Sequence, residues 1–268
     1  MSVAADPIVK HYARSDLMDR IRSALRAAGH DPDRATVEML RELDHLHGGG
    51  FRTTVVQAEL AGIPRGSRVL DAGCGIGGPS RYFADAYGCT VEAIDLTPEY
   101  VHVADRLNAL VGLQDRIRTV VGSVTDLPYP ENSFDVVLCQ NVSMNVPNKP
   151  RMFSEACRVL RGGGIYTISH VAEGPRGDPI YPLPWARRPE ESHLGEPGEL
   201  IEALEAAGFR DVRDRMVDAG ADPGGAPAKG TIGPAPAMGD DMPERLANVV
   251  RSMEEGRLVS MLVVARKP

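Results

Sequence analysis

The chain has 268 residues, 43% of them hydrophobic and 25% charged, which is enough apolar material for a sizeable core in one elaborated domain. A formal net charge of -7 argues against a nucleic-acid partner, whose phosphates generally call for clustered Lys and Arg, and directs attention to a small-molecule substrate. No apolar run reaches the roughly 18 residues of a membrane span, and the start "MSVAADPIVKHYARSDL" lacks the apolar block of a signal peptide, so a cytoplasmic protein with no membrane partner is expected.

From Pro7 to Leu60 the pattern is helical. Leu17, Ile21 and Leu25 recur every fourth residue, "GHDP" ends that run, and Val37, Leu40 and Leu43 continue in a second segment. "DHLHGGG" breaks the chain before a third helix from about Thr53 to Leu60, which makes residues 1–62 a helical cap or lid ahead of a main domain at 63–268. The period then changes. "RVLDAG" and "TVEAID" read as strands around the helix "PSRYFADAY", and Thr97-Pro98-Glu99 opens a further helix that stops at Gly112.

"RIRTVV" and "FDVVLCQ" are the third and fourth strands, "KPRMFSEACRVLRGGG" is a helix with stop glycines, and "GIYTIS" is the fifth strand. The helix "PGELIEALEAAG", the strand "DVRDRMVD", a helix near Met242 to Glu255 and the strand "LVSMLVVAR" complete an alternating α/β order. Residues 220–239 are half glycine and proline and read as a flexible loop. Cys74, Cys89, Cys139 and Cys157 show no paired spacing, so neither a disulfide framework nor a metal site is indicated.

Within "LDAGCGIGGPSRYF" the glycines fit two registers, a dinucleotide-type G-x-G-x-x-G and a D-x-G-x-G-x-G. Asp71 separates them, because a carboxylate beside the first glycine repels a diphosphate and welcomes an ammonium. S-adenosylmethionine (SAM) carries an amino group, a carboxylate and a sulfonium, and no phosphate. Asp95, at the end of the second strand, suits a ribose diol with either cofactor, since a carboxylate accepts from both hydroxyls.

"VLDAGCGIGGPSRYFA", "EAIDLTPEYV", "LPYPENSFDVVLCQNVSMNV" and "EACRVLRGGG" resemble four successive motifs of class I SAM-dependent methyltransferases. They are most similar to the branch that groups ubiquinone and menaquinone C-methyltransferases with sarcosine/dimethylglycine N-methyltransferases. The resemblance implies an α/β, Rossmann-like seven-stranded sheet of order 3-2-1-4-5-7-6, the last strand antiparallel, with helices on both faces. It also implies that SAM is the cofactor and S-adenosylhomocysteine (SAH) the product. Asp71, Gly73, Cys74 and Gly75 then hold the methionine end, Asp95 and Leu96 flank ribose and adenine, Ser123 and Val124 face adenine, and Gln140 lies beneath the methionine moiety. Ser123 replaces the Asp that relatives often carry there, which gives adenine an uncharged partner, with Asp126 as a possible compensation.

Where relatives often place His after the glutamine, this chain has Asn141, an amide that orients a nucleophile but is no base. Methyl transfer is an in-line displacement in which alignment supplies much of the acceleration, so a base is optional for an amine and useful for a hydroxyl. His47, in the glycine turn, and His170, after the fifth strand, are the catalytic candidates beside Asn141, with His193 a further histidine of the same region. Trp185 with Arg187 and Arg188 offers an acceptor wall able to bind an anion. The expected activity is methylation of an N or O nucleophile of a small metabolite. C-methylation of an isoprenoid or quinone, and SAM binding without transfer, are the alternatives; a homodimer is compatible with each.

Overall fold

The structure is a computed structural model that describes residues 6–46, 49–216, 239 and 241–268, the side chain of Glu42 excepted. His47 and, apart from Gly239, the Gly/Pro-rich stretch 220–239 lie outside the described residues.

Seven strands form one sheet: β1 (Arg68–Ala72), β2 (Thr90–Asp95), β3 (Ile117–Val121), β4 (Phe134–Gln140), β5 (Leu160–Glu173), β6 (Arg210–Asp214) and β7 (Leu258–Arg266). Their order is β3-β2-β1-β4-β5-β7-β6. The first five strands pair in parallel, and β7 runs antiparallel to both β5 and β6, so the sheet expected from the motifs is the one observed. The central strands are buried along almost their whole length, as strands covered on both faces must be.

Among the described residues the helices are α1 (Pro7–Tyr12), α2 (Leu17–Ala27), α3 (Val37–Asp44), α4 (Gly50–Ala61), α5 (Gly78–Tyr87), α6 (Pro98–Leu110), α7 (Lys149–Val159), α8 (Pro197–Ala206) and α9 (Met242–Glu254). Four helices therefore precede the first strand, where the periodicity implied three. The additional one, α1, is too short to show a repeat; it is set by Asp6, whose side chain accepts the Ile8 N–H at 2.8 Å, and by Pro7 at the first helical position.

Two apolar layers flank the sheet. Met152, Phe153 and Ala156 of α7 and Leu200 and Leu204 of α8 cover one face. Phe83 and Ala84 of α5, with Ala58 and Ala61 of α4, cover the other. Thus α4, grouped by the sequence with the cap, packs on the sheet itself. The helices α2 and α3 instead build a separate core with α6, in which Leu17, Ile21, Leu25, Leu40 and Leu43 meet Tyr100, Val103 and Leu107.

The fifth strand also differs from expectation, since it begins at Leu160 and runs through the three glycines instead of starting after them. Gly163 takes φ +75°, which only glycine adopts cheaply, and its N–H still donates to Lys267 O at 2.9 Å. The glycines are a bulge inside the strand. No helix among the described residues is long and apolar enough to cross a membrane.

Candidate active site

A cavity of about 410 Å³ opens at the carboxyl ends of the parallel strands, where open α/β sheets bind ligands. Its floor is the turn from β1 into α5. Gly73, at φ +88°, and Cys74 both donate their N–H groups to Ile94 O, at 2.8 and 3.0 Å, which locks the turn to β2. A Cβ on Gly73 would lie 2.2 Å from Cγ2 of Val142, and one on Gly78 would lie 2.4 Å from the backbone oxygen of Asp44. These two glycines admit neighbouring chain, whereas Gly75 keeps an open side, its nearest contact being Leu46 Cδ1 at 3.7 Å.

Asp71, Asp95 and Asp44 all border the cavity at this turn. Asp71 is fully buried and accepts the Ser80 hydroxyl at 2.6 Å; burial outweighs that bond, and with the nearby Asp95 charge it pushes the carboxyl up to about 6. Asp95 accepts Gly75 N–H through Oδ2 and Thr97 N–H through Oδ1, both at 2.9 Å. It thereby ties the glycine turn to the start of α6, and burial raises its pKa above the usual carboxylate range despite those bonds. Each oxygen keeps acceptor capacity for a diol. Burial first, then the charges of Asp95 and Asp71, push the Cys74 thiol well up, so Cys74 lines the site as a neutral group.

The cap is joined to this turn through Arg81 of α5, which is wholly buried. Its Nε and Nη2 donate to Asp44 Oδ2 at 3.1 and 2.9 Å, its Nη1 to Asn108 at 2.8 Å, and its Nη2 also to Ile76 O at 2.6 Å. His45 Nδ1 meets the other Asp44 oxygen at 2.8 Å. The His-Leu-His stretch thus spends its first histidine on the cap.

At the end of β4 the side chain of Gln140 turns toward α4, where its Nε2 donates to Gln57 Oε1 at 2.8 Å and to Thr54 Oγ1 at 3.1 Å. Gln57 in turn donates to Thr167 Oγ1 of β5 at 3.1 Å. Gln140 still borders the cavity, but its amide fastens α4 to the sheet. Asn141 lies in the left-handed region at φ +50°, which Asn tolerates better than most residues, and its Oδ1 accepts from Ser169 Oγ at 3.3 Å. Leu96, Ser123, Val124 and Asn141 all line the cavity. Ser123 Oγ, however, is engaged by Thr125, accepting its N–H at 3.2 Å and lying 2.8 Å from its hydroxyl. Asp126 is exposed and does not line the cavity, but its N–H donates to Ser123 O at 3.1 Å, so it stands beside that position.

Away from the glycine turn the wall becomes apolar. Met144, Val171, Trp185, Val249, Met253 and Met261 form it. His170 of β5 faces this half, buried, with Nδ1 2.6 Å from Ser143 Oγ; desolvation, helped by the Lys149 charge, lowers its pKa to about 4, so the imidazole is neutral near neutral pH. Trp185 borders the cavity and donates Nε1–H to Ser192 at 2.9 Å. The anion-binding wall expected from Arg187 and Arg188 does not form: Arg187 pairs with Asp241 and Arg188 with Glu191, each ion pair drawing its guanidinium off the cavity. His193 likewise stands off the cavity, its N–H donating to Met144 O at 2.8 Å.

Sequence reasoning missed the roof. Arg245 of α9 bonds Asp241 at 2.8 Å and reaches Pro184 O at 3.3 Å, while His11 of α1 meets the same carbonyl at 3.0 Å. Tyr12 donates to Asn145 at 3.3 Å beside the glycine-turn half. The one legible signal was the spacing of Leu246, Val249, Val250 and Met253, a stripe on one face of α9 that lines the cavity.

The donor set suits a nucleoside with an amino-acid tail better than a diphosphate, since carboxylates border the cavity and no Lys or Arg does among the described residues. Residues 70–168 match the family described as a methyltransferase domain. Phosphoethanolamine N-methyltransferase 1 of Arabidopsis thaliana is 34% identical over 128 residues, covering 48% of this chain and 26% of that protein. Sarcosine/dimethylglycine N-methyltransferase of Halorhodospira halochloris is 33% identical over 148 residues, covering 54% and 52%. The chain thus spans between about a quarter and a half of the length of these relatives. Geranyl diphosphate C-methyltransferase of Streptomyces coelicolor A3(2) superposes with a TM-score of 0.67 over 98% of this chain and 99% of that one, at 18% identity, a likeness of fold. The sheet order, the carboxylate-glycine turn and the family match coincide on one stretch, and residues 70–168 are similar to a methyltransferase domain.

Proposed function

We propose that the chain methylates an N or O nucleophile of a small molecule, and that it falls in the branch grouping the ubiquinone/menaquinone and sarcosine/dimethylglycine enzymes. The observation that carries this reading is the pair of carboxylates, buried Asp71 and half-buried Asp95, on a wall that holds no Lys or Arg among the described residues. Relatives named for phosphoethanolamine and sarcosine support the N-methylation side. When bound, SAM supplies a methyl group already activated by its sulfonium. In this reading Asp71 faces the ammonium, Gly73, Cys74 and Gly75 carry the methionine end, Asp95 and Leu96 hold the ribose edge, and Ser123 and Val124 lie along adenine. Gln140 acts through α4, keeping that helix against the sheet. Asn141 orients the nucleophile, and His170 or His47 accepts a proton where the acceptor has one to lose.

Calorimetry with SAH, followed by SAH release from SAM across amine, hydroxyl and prenyl acceptors, tests the assignment. Tight SAH binding with no release from any acceptor would leave a SAM-binding protein, and turnover confined to prenyl compounds would make the reaction C-methylation. NAD binding in place of SAH would overturn the reading.

The position of Asp71 also predicts a pH dependence. Its carboxyl titrates at about 6 in the free protein, and an ammonium ligand stabilises the charged form. SAH affinity is therefore full well above pH 6 and falls by up to about tenfold per unit below it, because protonated Asp71 must lose its proton before it can pair with the ammonium. Asp71→Asn should weaken binding and flatten that part of the slope; an unchanged slope would place the ammonium elsewhere.

A further inference from the structure

The apolar half of the cavity has a composition that restricts what it can accept. Val249 and Met253 of α9, Met261 of β7, Val171 of β5, Met144 and Trp185 surround it. Lys149, the cation that acts electrostatically on His170, gives its ammonium to the carbonyl of His193 and stays off the cavity wall. Arg187, Arg188 and Arg245 are all held in ion pairs. The carboxylates Asp44, Asp71 and Asp95 gather instead at the glycine turn. A phosphate or carboxylate placed among Met144, Val171 and Met261 would lose its hydration without gaining a counter-ion among the described residues, and a buried unpaired charge is among the most costly things a protein can hold.

Among the described residues the polar groups in this half include Ser260 of β7, whose hydroxyl donates to Met253 Sδ at 3.8 Å, and His170 with its partner Ser143. Ser143 Oγ occupies Nδ1, which leaves Nε2 as the ring nitrogen for a ligand. Both residues are buried, and His170 is fixed in register opposite Met261. In the tautomer in which Nδ1–H donates to Ser143, Nε2 presents a lone pair, the arrangement that accepts a hydroxyl hydrogen.

We propose that the acceptor is an uncharged, largely apolar molecule bearing a hydroxyl group, seated between α9, β7 and Trp185 with that hydroxyl at His170. The inference rests on the methyl-transfer reading above and names its substrate class. The hydroxyl oxygen forms a bond to the methyl carbon as the carbon-sulfur bond breaks, the sulfur leaves as a neutral thioether with the bonding pair, and the hydroxyl proton passes to Nε2 and then to solvent. A weakly basic imidazole suffices, because an oxygen that has gained a methyl before losing its proton is a strongly acidic oxonium.

Matched probes test it: 4-hexylphenol, 4-hexylphenyl phosphate, hexylamine and phosphoethanolamine, each titrated into SAH-loaded protein and each offered with SAM. The phenol should bind at least about tenfold more tightly than its phosphate ester and than either amine, and should alone gain a methyl by mass spectrometry. Val249→Trp, on the half-exposed face of α9, should weaken phenol binding by about tenfold or more while SAH affinity and melting temperature hold. His170→Gln should slow methylation of the phenol by about a hundredfold or more with phenol binding little changed. Equal or tighter binding of the phosphate or an amine, methylation of an amine in preference to the phenol, or binding of none of the probes would overturn the proposal. SAH titration of the unmodified protein reports separately on the methyl-transfer reading, so the two failures are distinguishable.

Discussion

Arg81→Ala should cost about 3 to 5 kcal/mol of stability, the usual consequence of removing one partner from a buried ion pair. Arg81 is wholly inaccessible and its guanidinium makes four hydrogen bonds, two of them to one oxygen of Asp44. Without it Asp44 remains buried with His45 as its polar side-chain neighbour, and the Ile76 carbonyl loses its donor. Burial alone would raise the Asp44 pKa, but Arg81 and His45 together outweigh it and hold the carboxyl below its usual value. A carboxyl lowered on folding contributes stability that is present above the ordinary carboxylate range and lost as pH falls through the lowered value. In Arg81→Ala that contribution disappears, so chemical denaturation near neutral pH should show the full loss and a smaller difference in strong acid.

Arg81→Lys should not restore the wild type, because an ammonium lacks the planar fork that reaches Asp44, Asn108 and Ile76 together. The surface pair Arg251–Glu255 supplies the control, since removing Arg251, which is exposed, should change stability by no more than about 1 kcal/mol. A loss of less than about 1 kcal/mol for Arg81→Ala would mean that the cap is not held to the glycine turn through this residue. The same variant should weaken SAH binding, because Asp44 borders the cavity and its backbone oxygen sits against Gly78.

What the sequence disclosed follows how local each signal is. The turn Asp71 to Gly78 combines strand pattern, glycines and helix start in one short stretch, whereas the strand order came from the family resemblance that four successive motifs carry. The destination of Gln140 was not legible, because its partners Thr54 and Gln57 are far away in the chain and nothing in "FDVVLCQN" marks the side chain as turned toward α4. The reading of Arg187 and Arg188 as an anion-binding wall failed for a related reason: their partners Asp241 and Glu191 are ordinary surface acids, and only the folded chain shows the cations already paired. Three glycines after a helix usually mean a stop; here pairing with β4 and the contact to Lys267 override that local preference and keep the backbone in the sheet.

Gly73→Ala should be more harmful than a methyl group suggests, by about 2 to 6 kcal/mol, from two separate causes. The first is conformational. Gly73 lies at φ +88°, and its N–H bond to Ile94 O prevents the turn from relaxing to a negative φ. The second is steric, since the new Cβ would fall 2.2 Å from Cγ2 and 3.0 Å from Cγ1 of Val142, which itself follows Asn141 on the cavity wall. A double-mutant cycle separates the two. Val142→Ala removes both methyls and leaves only its Cβ, 3.2 Å from the new one, so in its presence Gly73→Ala should lose most of the overpacking part, about 1 to 3 kcal/mol, and keep the conformational part. Gly75→Ala is the comparison: at φ +54° it sits nearer the ordinary left-handed region, and its Cβ meets only Leu46 Cδ1 at 3.7 Å, so its cost should stay near 1 to 2 kcal/mol. Denaturant unfolding of the single and double variants would measure all of these terms. If Gly73→Ala and Gly75→Ala proved equally mild, the turn would have to move away from Val142 at little cost, and Val142 could not be one of the contacts that fix where Asp71 and Asn141 stand relative to each other across the site.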